Sequence, residues 1–240
     1  MTRAPGTAQA PFSLECRACP RLASHLDRVR AGYPGYHARP VPAFGDALPR
    51  LLVVGLAPGM HGANRTGRPF TGDYAGVLLY ETLHRYGFSN QARAVAVDDG
   101  VQLTGCRITN AVKCLPPENK PLPAEVRCCN VHLATELQAL PHAAVLALGA
   151  IAHDAVLMAL GLRRAAYRFA HGAKHALAPD RMLFDSYHCS RYNTQTRRLT
   201  EAMFTRVFDD IQAYLSAMET PQRTAARRAN ERPGRHDERA

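Results

Sequence analysis

Residues 51–73 read LLVVGLAPGMHGANRTGRPFTGD, and they decide the fold. Leu51-Leu-Val-Val-Gly55 is a short apolar run stopped by glycine, the pattern of a strand buried on both faces. A Gly- and Pro-rich loop follows, and then Tyr74–Tyr86 carries apolar residues at helical spacing (Val77, Leu78, Leu83). The same order recurs downstream. Arg107–Val112 is a second strand, and Pro123–Leu140 a helix with a proline start and a stripe at Val126, Val131, Leu133 and Leu137. Ala143–Gly149 is a third strand, Ala150–Leu160 a helix closed by Gly161, Arg181–Asp185 a fourth strand, and Thr200–Met218 a last helix. Alternation of strands and helices predicts an α/β domain with a parallel sheet covered on both sides.

In such a sheet a ligand lies beyond the carboxyl ends of the strands. The loops after Val54, Val112, Leu148 and Phe184 are therefore expected on one rim. Three of them hold the unusual chemistry: GLAPGMHGANRTGRPFTGD, NAVKCLPPENK and HCSRYNTQTRR. The first loop, Gly55 to Gly76, has six Gly and two Pro in 22 residues, so its backbone can approach a ligand closely. It lacks both a Gly-Lys-Ser/Thr phosphate loop and G-x-G-x-x-G. Phe70 sits where an aromatic can stack on a base. Asp73, the only carboxylate of the loop, is placed to cap the next helix, to act chemically, or both.

The 240 residues suit one domain, residues 13–219, between a flexible N-terminus (1–12) and a disordered basic tail (220–240). The tail holds six Arg against three acids and almost no large apolar group. It reads as a solubilising extension in preference to a nucleic-acid arm. The whole chain carries 30 basic against 20 acidic side chains, a formal +10, and all but Lys113, Lys120 and Lys174 are arginine. A GC-rich genome accounts for arginine over lysine but not for the sign, which favours a polyanionic partner. The longest apolar stretch, Ala143–Ile151, falls short of the ~20 residues of a membrane span. No export signal is visible at the N-terminus.

Seven cysteines stand at 16, 19, 106, 114, 128, 129 and 189. The odd number in a chain without an export signal favours metal ligation over a disulfide framework. Cys16-x-x-Cys19, a Lys-Cys at a strand end (Cys114) and a cysteine early in the next helix (Cys129) are four thiols. Four thiolates close a zinc site or hold an iron–sulfur cluster. Cys106 and Cys189 fit no ligand pattern.

Gly55-Leu-Ala-Pro-Gly59, His61-Gly-Ala-Asn-Arg-Thr-Gly67, Pro69-Phe-Thr-Gly-Asp73, Thr109-Asn-Ala-Val-Lys-Cys114, Pro116–Lys120 and His188-Cys-Ser190 stand in this order. The set resembles the uracil-DNA glycosylase superfamily, most closely its family 5, the B-type enzymes. The resemblance spans about residues 13–215. It implies a three-layer α/β/α domain with a central four-stranded parallel sheet. It implies a structural [4Fe-4S] cluster on Cys16, Cys19, Cys114 and Cys129, and hydrolytic removal of uracil, with hypoxanthine and other deaminated bases, from DNA. Families 1 and 4 carry an acid at the places of Ala57 and Leu56. Both are apolar here, so the resemblance moves water activation to Asp73, supported by Asn110, with His188 on the leaving base. Gly55, Ala57, Phe70, Asn110 and His188 would line the base pocket. His61, Asn64, Arg65, Ser190, Arg191 and Tyr192 would meet the DNA. Cys189 replaces a usual proline in the penetrating loop, which would loosen it.

The implied partners are double- and single-stranded DNA with deaminated bases and no membrane, for a monomer at the nucleoid of a bacterial cytoplasm. Three alternatives remain at this stage: a family 4-type enzyme, a non-catalytic nucleic-acid module with a metal staple, and a hydrolase using Cys189 as nucleophile. Adjacent residues on a strand point apart, which makes His188 a poor base for Cys189.

Overall fold

The computed structural model describes residues 12–230, so most of the expected flexible N-terminus and the last ten residues of the expected tail lie outside the described residues. Six strands occur in chain order: β1 (Phe44–Gly45), β2 (Leu51–Gly55), β3 (Cys106–Asn110), β4 (Ala144–Leu148), β5 (Lys174–Ala178) and β6 (Arg181–Ser186). They form one sheet in the order β1-β3-β2-β4-β6-β5. β2 pairs in parallel with β3 and β4, and β4 in parallel with β6. β1 and β5 join the edges antiparallel. Four parallel strands thus stand at the centre, and two antiparallel edge strands beyond the expected four make the sheet a mixed six-stranded one. Its added edge strands lack a continuous apolar run: β1 is two residues long, and β5 alternates exposed and half-buried residues.

The helices are α1 (Pro20–Gly32), α2 (Ala63–Thr66), α3 (Tyr74–Arg85), α4 (Pro123–Ala139), α5 (Ala150–Ala159), α6 (Arg191–Gln195) and α7 (Glu201–Asn230). Strand side chains alternate between two faces. Leu52, Val54, Val145, Ala147 and Leu183 pack with Leu22 and Leu26 of α1, Val126 and Leu133 of α4, and Val156 of α5. Leu51, Val53, Ile108, Leu146 and Phe184 pack with Leu79 and Leu83 of α3 and Phe204, Phe208 and Ile211 of α7. Covering both faces is why β2 and β4 read as unbroken apolar runs rather than alternating ones.

Two boundaries differ from expectation. Phe12, placed in the flexible start, packs its ring edge-on at 5.4 Å against His132. α7 runs on to Asn230, past the expected start of a disordered tail. The stretch 219–230 is poor in large apolar residues but holds three Ala and three Arg, which extend a helix already nucleated by packing upstream. Among the described residues no helix is long and apolar enough to cross a membrane.

The parallel register brings the working loops together. Gly55 lies opposite Asn110, and Leu148 opposite Ser186. The carboxyl ends of β2, β3, β4 and β6 therefore share one edge.

Candidate active site and cysteine-lined cavity

Gly55 ends β2 against crowded neighbours. A Cβ there would collide with Asn110 Oδ1 and lie 2.6 Å from Phe70 Cε2. Only glycine lets the Asn110 amide and the Phe70 ring meet above the strand end. Asn110 is buried. Phe70 is also buried and holds a left-handed φ of 54°. Non-glycine residues keep such a backbone only where their surroundings over-determine it. Those surroundings are visible: Tyr80 Oη donates to Pro69 O (3.3 Å), and Arg68 Nε donates to Thr71 Oγ1 (2.8 Å).

The His188 ring stacks on Phe70, with centroids 5.9 Å apart and planes 27° from parallel. Asn193 Nδ2 donates to His188 O at 2.8 Å and steadies that backbone. Burial lowers the His188 pKa from 6.5 to about 4. The imidazole is therefore neutral at pH 7, a hydrogen-bonding group rather than a cation.

Asp73 is the N-cap of α3, where its Oδ1 accepts from Gly76 N at 2.9 Å. Its other oxygen faces Gly59, whose Cβ would lie 3.5 Å from Oδ2, and Gly62, where a Cβ would collide with it. Two glycines thus leave one carboxylate oxygen clear of side chains. Burial raises the Asp73 pKa, against the opposing pull of the Gly76 and Ala75 N–H groups. The cap and the candidate catalyst are the same residue. Leu56 and Ala57 are half-buried and bring no acid to the site.

The expected DNA-facing residues differ in exposure. His61 is exposed, with Tyr36 Oη 2.8 Å from its Nδ1. Arg65 donates through Nε to His61 O at 2.7 Å. The Arg191 guanidinium lies 5.0 Å over the Tyr74 ring. Tyr192 is 69% exposed. Ser190 caps α6, accepting from Asn193 N at 3.4 Å. Asn64 corrects the expectation, because it is fully buried. Its Nδ2 reaches Met60 O at 3.4 Å, and its backbone carbonyl accepts from Ala38 N. The glycine-rich loop folds back on itself there, so Asn64 holds the loop and does not face DNA.

Cys189 is fully buried and burial raises its pKa, so it offers no thiolate nucleophile.

Sequence reasoning missed a buried network under the His188 strand. His153 Nδ1 lies 2.8 Å from Asp185 Oδ1, His153 Nε2 3.0 Å from Tyr167 O, and His175 Nε2 3.1 Å from Asp185 Oδ2. Both ring nitrogens of His153 face acceptors, so both must carry protons. Burial opposes that charge, but Asp185 and the Tyr167 carbonyl outweigh it and raise the His153 pKa. The network ties β6 to α5 and β5 three residues before His188. Asp185 at the end of an apolar run was the only local signal.

Away from the rim, a cavity of about 350 Å³ is lined by Cys16, Cys19, Cys114, Cys128 and Cys129, with Leu22, Pro40 and His132. The segment before α1 closes it, and Lys113 N donates to Cys129 Sγ at 3.3 Å. Cys129 is buried and Cys128 exposed, because neighbours on a helix point about 100° apart. Burial, then Cys129 and Cys16, push the Cys114 thiol up to about 12. Thiols crowded and desolvated in this way become thiolates when a cation takes up their charge. Among the described residues, the one set of three candidate ligand atoms within 4.8 Å of one another is His153, His175 and Asp185, not the thiols. A tetrahedral zinc site holds its sulfurs about 3.8 Å apart. No three of the described thiol sulfurs stand that close together, and the cavity they line leaves room for a larger group.

The family model for the uracil DNA glycosylase superfamily matches residues 42–212. The chain is 50% identical over 198 residues to the type-5 uracil-DNA glycosylase of Thermus thermophilus, covering 80% of this chain and 90% of that protein. It is 45% identical over 191 residues to the type-5 enzyme of Pyrobaculum aerophilum, covering 78% and 83%. The type-4 uracil-DNA glycosylase of Thermotoga maritima is 32% identical over 139 residues, 58% of each chain. The acid-free Leu56-Ala57 pair, the half-free Asp73 carboxylate and the neutral His188 thus sit in a chain that belongs to the uracil-DNA glycosylase superfamily, with its hydrolytic type-5 enzymes.

Proposed function

We propose that the protein removes uracil, and other deaminated bases such as hypoxanthine, from DNA, with Asp73, Asn110 and His188 as its catalytic residues. The observation that carries this is the meeting of Phe70, Asn110, His188 and a half-free Asp73 carboxylate at one sheet edge. The target base leaves the duplex stack, at a cost of a few kcal/mol that is least for a mispaired base. It enters beside Gly55 and Ala57 and stacks on Phe70. The bond between C1′ and the base nitrogen breaks, and its electron pair stays on the base. Neutral His188 donates to the base oxygen as negative charge grows there. Asp73 offsets the cationic sugar and orients the water, whose hydroxide adds to C1′ while its proton leaves to solvent or base. Asn110 holds that water or the base edge.

Cys16, Cys19, Cys114 and Cys129 hold a [4Fe-4S] cluster, which supplies structural cross-linking and no step of the reaction. His61, Arg65, Ser190, Arg191 and Tyr192 face double- or single-stranded DNA. The protein works as a monomer at the nucleoid in a bacterial cytoplasm.

The test is incubation with end-labelled uracil- and hypoxanthine-containing DNA, with and without alkali. Strand breaks only after alkali are expected for both bases. An intact uracil strand after alkali would reject the activity. Cleavage at uracil alone would narrow the substrate range. Breaks without alkali would add a lyase step that Asp73 and His188 do not provide.

A further inference from the structure

The segment 91–99 joins no helix or strand, yet it is held tightly. Both oxygens of Asp99 accept from Arg68 Nη2 at 2.7 Å, and the same carboxylate accepts from Val95 N (2.7 Å), Ala96 N (3.2 Å) and Val101 N (3.1 Å). Burial opposes the charge of Asp99, but Arg68 and these N–H groups hold its pKa at about 2. Gln91 Nε2 donates to Arg93 O (2.9 Å) and Asp99 O (3.3 Å). Gly72 N donates to Ala94 O at 2.9 Å, which fastens the segment to the residue before Asp73.

This clamp gives the segment two sides. Ala94 and Ala96 turn inward, while Arg93, Val95 and Val97 turn outward, Val95 59% and Val97 63% exposed. Arg93, Arg65 and Arg191 line a groove of about 500 Å³ whose floor includes Gly72 and Asp73. Glu81 stands in the same groove and Asp98 beside Val97, while the three guanidiniums flank the Asp73 carboxylate. The Arg93 guanidinium carries no ion pair or hydrogen bond among the described residues.

We propose that this groove seats the sugar–phosphate backbone of the target strand where it leaves the flipped nucleotide. Arg93 binds a phosphate, and Val95 packs on the adjoining deoxyribose. Three forked cations beside a catalytic carboxylate match a polyanion that must pass that carboxylate. Two exposed valines on a rigid loop offer an apolar edge the size of a sugar. The pinning by Asp99 removes ordering cost from the contact. The assignment rests on the glycosylase function proposed above.

The test measures binding of a duplex with a non-cleavable abasic analogue over a salt series, and single-turnover cleavage of uracil DNA at saturating enzyme. The proteins are wild type, Arg93→Gln, Val95→Ser, and Arg127→Gln as an equal charge loss on α4 outside the groove. Arg93→Gln should weaken binding about three- to tenfold and flatten the slope of log K on log salt by about 1, the share of one phosphate contact. Val95→Ser should weaken binding about two- to fivefold with its salt slope unchanged, because an apolar contact releases no counterion. Both should keep a wild-type rate at saturation, and Arg127→Gln should match wild type throughout. Arg93→Gln with unchanged affinity and slope overturns the groove while leaving the glycosylase intact. A rate lost at saturation also overturns it, placing Arg93 in the chemistry. Wild type that neither binds nor cleaves uracil DNA rejects the glycosylase function itself, and the groove with it.

Discussion

Asp73 divides its two oxygens between a helix N-terminus and the space over Gly59. Asn caps about as well as Asp. Asp73→Asn should therefore fold and bind uracil DNA, yet lose about 10²-fold or more in single-turnover rate, the scale of a positioned acid–base group. A full-rate variant would leave Asp73 as a cap alone. The pH profile separates the two roles further. Asp73 must be ionised, and burial raises its pKa above the ordinary 3.8, so the rate should fall on acidification earlier than that. That acid limb should vanish in Asp73→Asn and persist in His188→Ala. His188→Ala should itself cost about 10²–10³ in rate, like removing an oxyanion-hole donor; a loss under tenfold would remove His188 from the base. Because the His188 pKa is lowered to about 4, the unfolded chain binds its proton first, and this contribution to stability fades as pH falls from 6.5 towards 4. These residues were legible because they stand in dense local motifs. His153, His175 and Asp185 were not, since the contact joins three separate elements and no spacing announces it. Asn64 was misplaced for the converse reason: its neighbours read as an open loop, and the chain reversal that buries it is tertiary.

At the scale of elements, strands covered on both faces declared themselves. Leu51–Gly55 was legible to the residue because every side chain is buried. The edge strands were not, since Lys174–Ala178 is half solvated and Phe44–Gly45 too short to show a period. α1 carried a readable stripe in Leu22, Leu26 and Val29, masked by the cysteine motif before it. That helix and its leading strap meet α4 across the thiol cavity, where Arg21 also pairs with Glu125 at 2.7 Å. Protein purified without oxygen should be brown, from the visible charge-transfer bands of thiolate-bound iron. A colourless preparation with stoichiometric zinc would overturn the cluster. Cys16→Ala should lose the colour and lower the melting temperature more than it slows single-turnover cleavage by the folded fraction, since a metal site staples folding together.

Taken whole, the molecule lines one groove with Arg65, Arg93 and Arg191 and carries at residues 220–240 a basic stretch of six arginines against three acids. Removing residues 220–240 should flatten the salt dependence of duplex binding while leaving the rate at saturating enzyme intact, because counterion release acts on affinity alone. Abolished cleavage at saturation would place the tail in the active site. The fold class was legible at this scale because alternation leaves few topologies; the length of α7 was not, since helix propensity and absence of core pull opposite ways there. The sheet order has a consequence for synthesis. β2, the first of the parallel strands to leave the ribosome, is also one of the two central ones, and its two partners begin only at Cys106 and Ala144. Phe204, Phe208 and Ile211, which cover one face, emerge after all six strands. A nascent chain therefore carries Leu51, Val53, Ile108 and Leu146 with α3 on that face but without α7 until it is made. Until then that apolar face is open to aggregation.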